Sequence, residues 1–288
     1  MSVKKIINCF KGIFGMQNKK EQIGFYVCSL IDILGQKEKL TQLNGMDFIK
    51  NQEESLSIFQ QTYGKVKKFR IYTNESINFV NLLKSKHNLK NSFTSNPIEM
   101  KSFSDLITSY VLIGNSEHKL QFQGIYFLLL SNCEVFLKML ADGTALRGGI
   151  DLGMAIKNDE NELYGSALLN PYILESKVSK SIRIVIGQTL YNYIQEISSN
   201  EDFDDDLLDL NIRCAQLCEK LIKQDKDGEY ILDYLSDEFK EMESFNIYCK
   251  KAKQFLDYEY NNLKIKQQFD VAKKYQQAIK YFESKGIN

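Results

Sequence analysis

Residues 23–34 read IGFYVCSLIDIL, a β-favouring apolar run that carries a single carboxylate, Asp32. Ile23, Phe25, Val27, Ile31 and Ile33 fall on one parity of a strand, Leu30 and Leu34 on the other, so the run reads as a strand covered on both faces. A sheet layered with helices provides such cover. Asp32 stands in this run three residues before Gly35. An isolated ionised carboxylate in an apolar interior is prohibitively costly. Asp32 therefore takes a partner or a metal, or else it ends the strand, facing solvent or capping the next helix.

The pattern downstream alternates. Residues 36–93 read as helical, with Leu40, Leu43, Phe48, Ile49, Leu56, Phe59, Val66 and Phe69 as apolar positions, and Asn96-Pro97 breaks that region. Residues 100–114, MKSFSDLITSYVLIG, return to β character, and Gly114-Asn115 marks a turn. Residues 117–142 read as one long, mostly buried helix ended by Asp142-Gly143. ALRGGIDLGMAI is a strand, LYGSALLNPYILES a turn into a short helix, and IRIVIG a buried strand. Strands alternating with helices predict an α/β sheet domain over residues 23–199.

Beyond it, NEDFDDD (200–206) reads as a solvated loop. QDKDGEY does not fit a calcium loop, because Lys223 and Tyr234 would stand at its first and last ligand positions. Asp227-Gly228 is better read as a hairpin turn. Phe239, Phe245, Tyr248, Ala252, Phe255, Leu256, Val271, Tyr275 and Ile279 follow helical spacing. Residues 200–288 thus form a hairpin and helical extension, a cover or a dimer arm.

Composition excludes several classes. Lys+Arg and Asp+Glu are both 37, leaving no general basic field for nucleic acid. No uninterrupted apolar segment reaches the roughly 18–20 residues that span a bilayer, so no transmembrane segment is expected. The six cysteines are scattered without CxxC pairs, and there are only two histidines, which argues against structural zinc and for a reducing cytoplasm. VKKIINCFKGIF, within an N-terminal segment 1–22, places Ile6, Ile7, Phe10, Ile13 and Phe14 on one helical face beside Lys4, Lys5 and Lys11. Such a helix docks on its own domain or a second subunit, or lies on a membrane surface. No signal-peptide cleavage pattern follows, and Ser2 in place of Gly removes the usual myristoylation signal.

A second acid repeats the opening pattern. KSFSDLITSYVLI embeds Asp105 in a β run. Two such acids on adjacent strands make a paired-carboxylate site of the kind that binds two Mg²⁺ or Mn²⁺ ions.

LIDILG, FSDLI, LRGGIDLG and LYGSALLNPYILES, in this order and spacing, resemble the catalytic domain of class III nucleotide cyclases. The likeness is strongest to the bacterial antiphage branch, the pyrimidine cyclases of the Pycsar system. QDKDGEYILDYL and AKKYQQAIKYFESK also resemble that branch, so the likeness covers most of the chain. It implies a palm-like βαβ domain that converts a nucleoside triphosphate to a 3′,5′-cyclic monophosphate plus pyrophosphate. Asp32 and Asp105 would ligate both metals, and the backbone carbonyl of Ile33 one of them. Amides of the Leu34–Gln36 turn would cradle phosphates, with Gly35 permitting close approach and Lys37 or Lys39 adding charge.

By the same resemblance, Lys101 and Glu162 occupy the base-reading positions. Their donors and acceptors fit cytosine, uracil or adenine; otherwise both are solvated strand-end charges. Conventional class III cyclases carry an Asn and, four residues later, a transition-state Arg, where this chain has Leu169 and Ile173. Asn170 is one residue out of register, and Arg147 is the available cation, contacting phosphate or base, or else forming a structural salt bridge. Tyr26, Phe103 and Tyr164 are candidates for filling the space a purine would need. The resulting expectation is a homodimeric, cytoplasmic, Mn²⁺- or Mg²⁺-dependent pyrimidine cyclase using UTP, otherwise CTP, in antiphage signalling through a separate effector. The alternatives are an adenylate cyclase and a catalytically silent nucleotide-binding dimer module.

Overall fold

The computed structural model describes residues 22–47, 49–86, 96–115, 121–199, 206–241 and 244–287. The N-terminal amphipathic helix, the end of the helical region at 87–93 and all of the acidic loop but Asp206 lie outside them. Among the described residues one mixed sheet of eight strands organises the chain. Its first strand, β1 (Gln22–Ile33), lies in the sheet interior and is followed by the short helix α1 (Gln36–Thr41) and the 35-residue helix α2 (Gln52–Lys86). A hairpin of β2 (Glu99–Phe103) and β3 (Leu106–Asn115) precedes α3 (Gln123–Ala141). Next come β4 (Leu146–Lys157), β5 (Leu163–Gly165) and α4 (Ser166–Ile173), which runs on as a π-helical turn at Leu174–Val178. The chain continues through β6 (Ile184–Ile186), α5 (Gln188–Ser198), α6 (Asp206–Glu219), β7 (Ile222–Gln224), β8 (Tyr230–Leu232), α7 (Phe245–Ile265) and α8 (Phe269–Ser284).

The expected α/β class holds. Strand order is β2-β3-β1-β4-β6-β8-β7, with β5 paired to β4. β1 lies antiparallel between β3 and β4, and β4 pairs parallel with β6. The β7–β8 hairpin joins the same sheet through β6, its turn closed by Gly228 at φ 89°. β1 is covered on both faces. Phe25, Val27, Ile31 and Ile33 enter the main core with Val111, Leu128, Phe136 and Leu140. Tyr26 and Cys28 point the other way, packing with Tyr110, Leu112, Ala155 and Ala167 of α4.

Three differences from the sequence-based expectation bear on the site. The helical region after β1 is two helices, α1 and α2, separated by turns. The run 100–114 is two strands rather than one, and the Ser104-Asp105 pair forms the tight turn between them, so Asp105 is not embedded in a strand. The helix expected at 117–142 spans Gln123–Ala141. By length and composition this helix is apolar enough to cross a membrane, yet most of it is buried in the fold, where it packs in the main core.

Glycines in β4 set how closely α4 approaches the sheet. A Cβ added at Gly149 would stand 2.5 Å from Leu174 Cβ and 2.6 Å from the Pro171 carbonyl oxygen, and one at Gly153 would stand 2.4 Å from the Ala167 nitrogen. The helix and its π turn therefore lie directly on the strand backbone. Gly149→Ala is expected to cost about 1–3 kcal/mol through overpacking, read in differential scanning calorimetry as a Tm lowered by several degrees.

Candidate functional site

The sheet register brings the candidate residues together at one end. Asp32, next to last in β1, pairs with Leu106 at the start of β3 on one side and with Arg147 at the start of β4 on the other. The β2–β3 turn holds Asp105 beside that end, with Ser104 at φ 54°, a left-handed conformation uncommon outside glycine. On the face covered by α4, the π turn brings Glu175 to the same place.

Arg147 binds this cluster. Its Nη2 lies 2.7 Å from Glu175 Oε1 and 3.5 Å from Asp32 Oδ2. Arg147 Nε is buried without a hydrogen-bond partner. The carboxyl of Asp32 is pushed up to about 6, first by burial and then by the charges of Asp105 and Glu175, with Arg147 opposing. Glu175, 5% exposed, is also raised, by burial first; Arg147 lowers it and Asp105 raises it further. Like charge has accumulated here beyond what one guanidinium offsets.

The other expected residues are placed as follows. Gly35 adopts φ 82° ahead of α1 and is exposed, but α1 has six residues and hence few aligned peptide dipoles to hold an anion. Lys37 is exposed, and Lys39 donates to Gln61 Oε1 at 3.4 Å. Lys101 Nζ donates to the Glu160 carbonyl at 3.3 Å, and Glu162 accepts from Asn158 Nδ2 at 3.1 Å, so both stand exposed at the corner between β2 and the β4–β5 loop. Lys101 stands two residues, roughly 6–7 Å along the strand, before the end of β2, where the Ser104-Asp105 turn begins. Phe103 is 81% and Tyr164 83% exposed. Tyr26, expected at a pocket wall, is instead 1% exposed in the smaller core, closed off beneath α4. Leu169 and Ile173 are exposed, and Asn170 Nδ2 turns inward to the Leu152 carbonyl at 3.3 Å.

The structure adds residues that sequence reasoning left out. Glu175 lay within a quoted motif, as the acid of its Leu-Glu pair, but its pairing with Arg147 has no sequence signature. Arg70 of α2 donates from Nη2 to the Ser104 carbonyl at 2.9 Å, while its Nε is buried without a partner. Together with Gln36 and Tyr63 it lines a recess of about 230 Å³ that reaches Asp105. The surrounding text, KKFR, looks like any solvated helix face.

The donors suit a hard divalent ion in kind: carboxylate oxygens with a main-chain carbonyl nearby, at a place with surplus negative charge. Among the described residues no three Asp, Glu, His or Cys side chains are disposed to hold a metal by themselves. Asp32, Asp105 and the Ile33 carbonyl would leave coordination positions for phosphate oxygens and water, as Mg²⁺ sites commonly do.

No family model matches the chain, and no curated protein does. Three solved chains match. One is a class III adenylyl cyclase-like ATP-binding protein from Pseudomonas aeruginosa, 12% identical, with a TM-score of 0.37 over 71% of this chain and 42% of that one. The chain thus spans less than half the length of that protein, and so distant a likeness carries no inference about activity.

A carboxyl held at about 6 binds its proton more tightly in the folded than in the unfolded chain, where it titrates near 4. Its contribution therefore falls as pH rises between those values and is unfavourable above about 6. Asp32→Asn should leave the metal-free Tm at pH 7.5 equal to or above that of the parent and flatten its pH dependence between 4 and 6. Addition of Mn²⁺ should raise the Tm of the parent but not of the variant. Calorimetry with and without a chelator checks both.

Proposed function

We propose that the chain is a divalent-metal-dependent nucleotide cyclase, closing a pyrimidine nucleoside triphosphate to its 3′,5′-cyclic monophosphate and releasing pyrophosphate. The observation that carries this reading is the meeting of Asp32 and Asp105, 73 positions apart in sequence, at one sheet end with surplus negative charge. Asp32, Asp105 and the Ile33 carbonyl would hold two Mg²⁺ or Mn²⁺ ions, which when bound neutralise the triphosphate and acidify the ribose 3′-hydroxyl. The 3′-oxygen forms a bond to the α-phosphorus, the bond from that phosphorus to the bridging oxygen breaks, and the 3′-hydroxyl proton leaves to solvent.

The chain's own groups then position the substrate. Arg147, with Nε unpaired, is suited to a phosphate oxygen while Nη2 keeps Asp32 and Glu175 in place. Lys101 and Glu162 read the polar edge of the base, and Phe103 and Tyr164 supply bulk against a purine. In this reading those exposed aromatics, with Leu169, Tyr172 and Ile173 on α4, face a second copy of the chain. The product acts as a cytoplasmic antiphage messenger on a separate effector. One observation favours a second reading, a silent nucleotide-binding module: Arg147 already neutralises part of the charge of Asp32.

Incubating the purified chain with Mn²⁺ and equal concentrations of all four NTPs, with products resolved by mass spectrometry, tests the proposal. Cyclic UMP is expected first and cyclic CMP next. Predominant cyclic AMP overturns the base assignment alone, and no pyrophosphate from any NTP overturns the cyclase in favour of the silent module. Asp32→Asn or Asp105→Asn should lower turnover at least about a hundredfold, the upper end of what losing a mere outer-shell partner costs, with the circular dichroism spectrum unchanged. Arg147 lies on Asp32 of its own chain and so is no opposite wall. In this reading the base-facing Lys101 reaches the site from the partner copy, and mixing Asp32→Ala with Lys101→Ala should restore part of the activity through hybrid sites. Subunit exchange without recovery would argue against shared sites.

A further inference from the structure

A second cavity, of about 480 Å³, lies between residues 181–183, the β7–β8 hairpin and α8. Its size is in the usual range of small-molecule pockets, roughly 300–1,000 Å³. Four cations line it, Arg183, Lys223, Lys226 and Lys280, against two carboxylates, Asp225 and Asp227. The walls thus hold two more positive than negative groups.

The buried groups are incompletely paired. Arg183 is 8% exposed; its Nη1 meets Asp225 at 2.6 Å, its Nη2 meets Asp227 at 2.6 Å and the Val178 carbonyl at 3.3 Å, and its Nε has no acceptor. Tyr234 is 1% exposed, and its hydroxyl has no partner. Lys223 Nζ stands 4.0 Å from the centroid of the Tyr281 ring rather than on a carboxylate. Burial lowers its proton affinity, with the neighbouring Asp233 and Asp225 opposing. Asp233 is itself engaged by Lys285 at 2.6 Å and by the Tyr281 hydroxyl. Buried donors without acceptors are rare in native proteins. The residues carrying two of them line this cavity with its surplus positive charge, Tyr234 bordering also a neighbouring recess of about 250 Å³. Together they point to a ligand that brings acceptor oxygens and negative charge.

We propose that this cavity binds a small anion of the phosphate class, whose oxygens accept from Arg183 Nε and the Tyr234 hydroxyl and whose charge is met by Lys223. A phosphate group carries about −1.5 to −2 at neutral pH with three acceptor oxygens, which matches the local surplus and the number of donors better than a monocarboxylate does. The site is independent of the cyclase reading and stands or falls separately from it.

The test titrates inorganic phosphate into the full chain by calorimetry at constant ionic strength. EDTA is present so that no metal can hold phosphate at Asp32, and acetate serves as the carboxylate control. Saturable binding of phosphate over acetate is expected. Tyr234→Phe removes only a hydroxyl without a partner, so the ligand-free Tm should stay equal or rise while phosphate affinity falls roughly tenfold. Lys223→Gln should weaken phosphate at least as much. Glycerol phosphate binding more tightly than inorganic phosphate would assign an organic phosphate ester, and equal affinity the free ion; either supports the site. No saturable phosphate binding by the parent, affinity unchanged in both variants, or acetate bound as tightly as phosphate would overturn it.

Discussion

One guanidinium nitrogen faces two carboxylates at the end of the sheet, and the charge left over governs what that end can do. Arg147 Nη2 reaches both Asp32 and Glu175, while Asp105 adds a third negative group in electrostatic reach of both. Three carboxylates against Arg147 and, at the Ser104-Asp105 turn, Arg70 leave surplus negative charge on a half-buried surface. Burial first, and then the charges of Asp105 and Glu175, raise the proton affinity of Asp32. A proton is one solution and a divalent cation another. The second would satisfy two carboxylates at once and leave Arg147 to hold the geometry.

That cluster exists because of backbone choices remote from any chemistry. Antiparallel pairing sets Arg147 directly across from Asp32, and a shift of one residue would send either side chain to the other face. Glu175 arrives by a different route. Gly149 leaves no Cβ between β4 and the π turn, so the turn sits on the strand and its acid reaches the guanidinium. Irregular helical turns of this kind recur at functional sites because they re-aim a side chain that a regular helix would carry elsewhere.

How far the sequence revealed this follows from the same physics. Asp32 was legible because a carboxylate in a two-sided apolar strand needs a reason. Asp105 was found through a misplaced premise. Its β run is two strands, and the Ser104-Asp105 turn between them uses two turn-favouring residues but no Gly or Asn at the left-handed position, where Ser104 stands at φ 54°. The sheet was legible from alternation, and β6 and the β7–β8 hairpin from the buried run IRIVIG and the Asp227-Gly228 turn. With three residues each, the hairpin strands carry no period that shows them joining the same sheet through β6. Glu175 and Arg70 acquire meaning only from long-range packing, and no local pattern encodes a main-chain carbonyl such as that of Ser104 as a partner. Tyr26 shows the converse error, since an aromatic near a motif is more often core than pocket wall.

The formal net charge of zero conceals two local surpluses of opposite sign. The segment from Glu175 to Arg183 runs between them, and it is tied down along its length. Val178 gives its carbonyl to Arg183 Nη2, the Ser179 hydroxyl donates to the Arg183 carbonyl at 2.8 Å, and that carbonyl also accepts from the Gly148 amide at 3.1 Å. Gly148 follows Arg147 directly in β4. Acid and base are therefore separated by a short, doubly bonded stretch of chain that keeps them from neutralising each other. These bonds hold the acidic cluster at Arg147 and the basic one at Arg183 as separate groups. A formal net charge of zero therefore says little about either end, because the local surpluses, not the sum, set the field a ligand meets there.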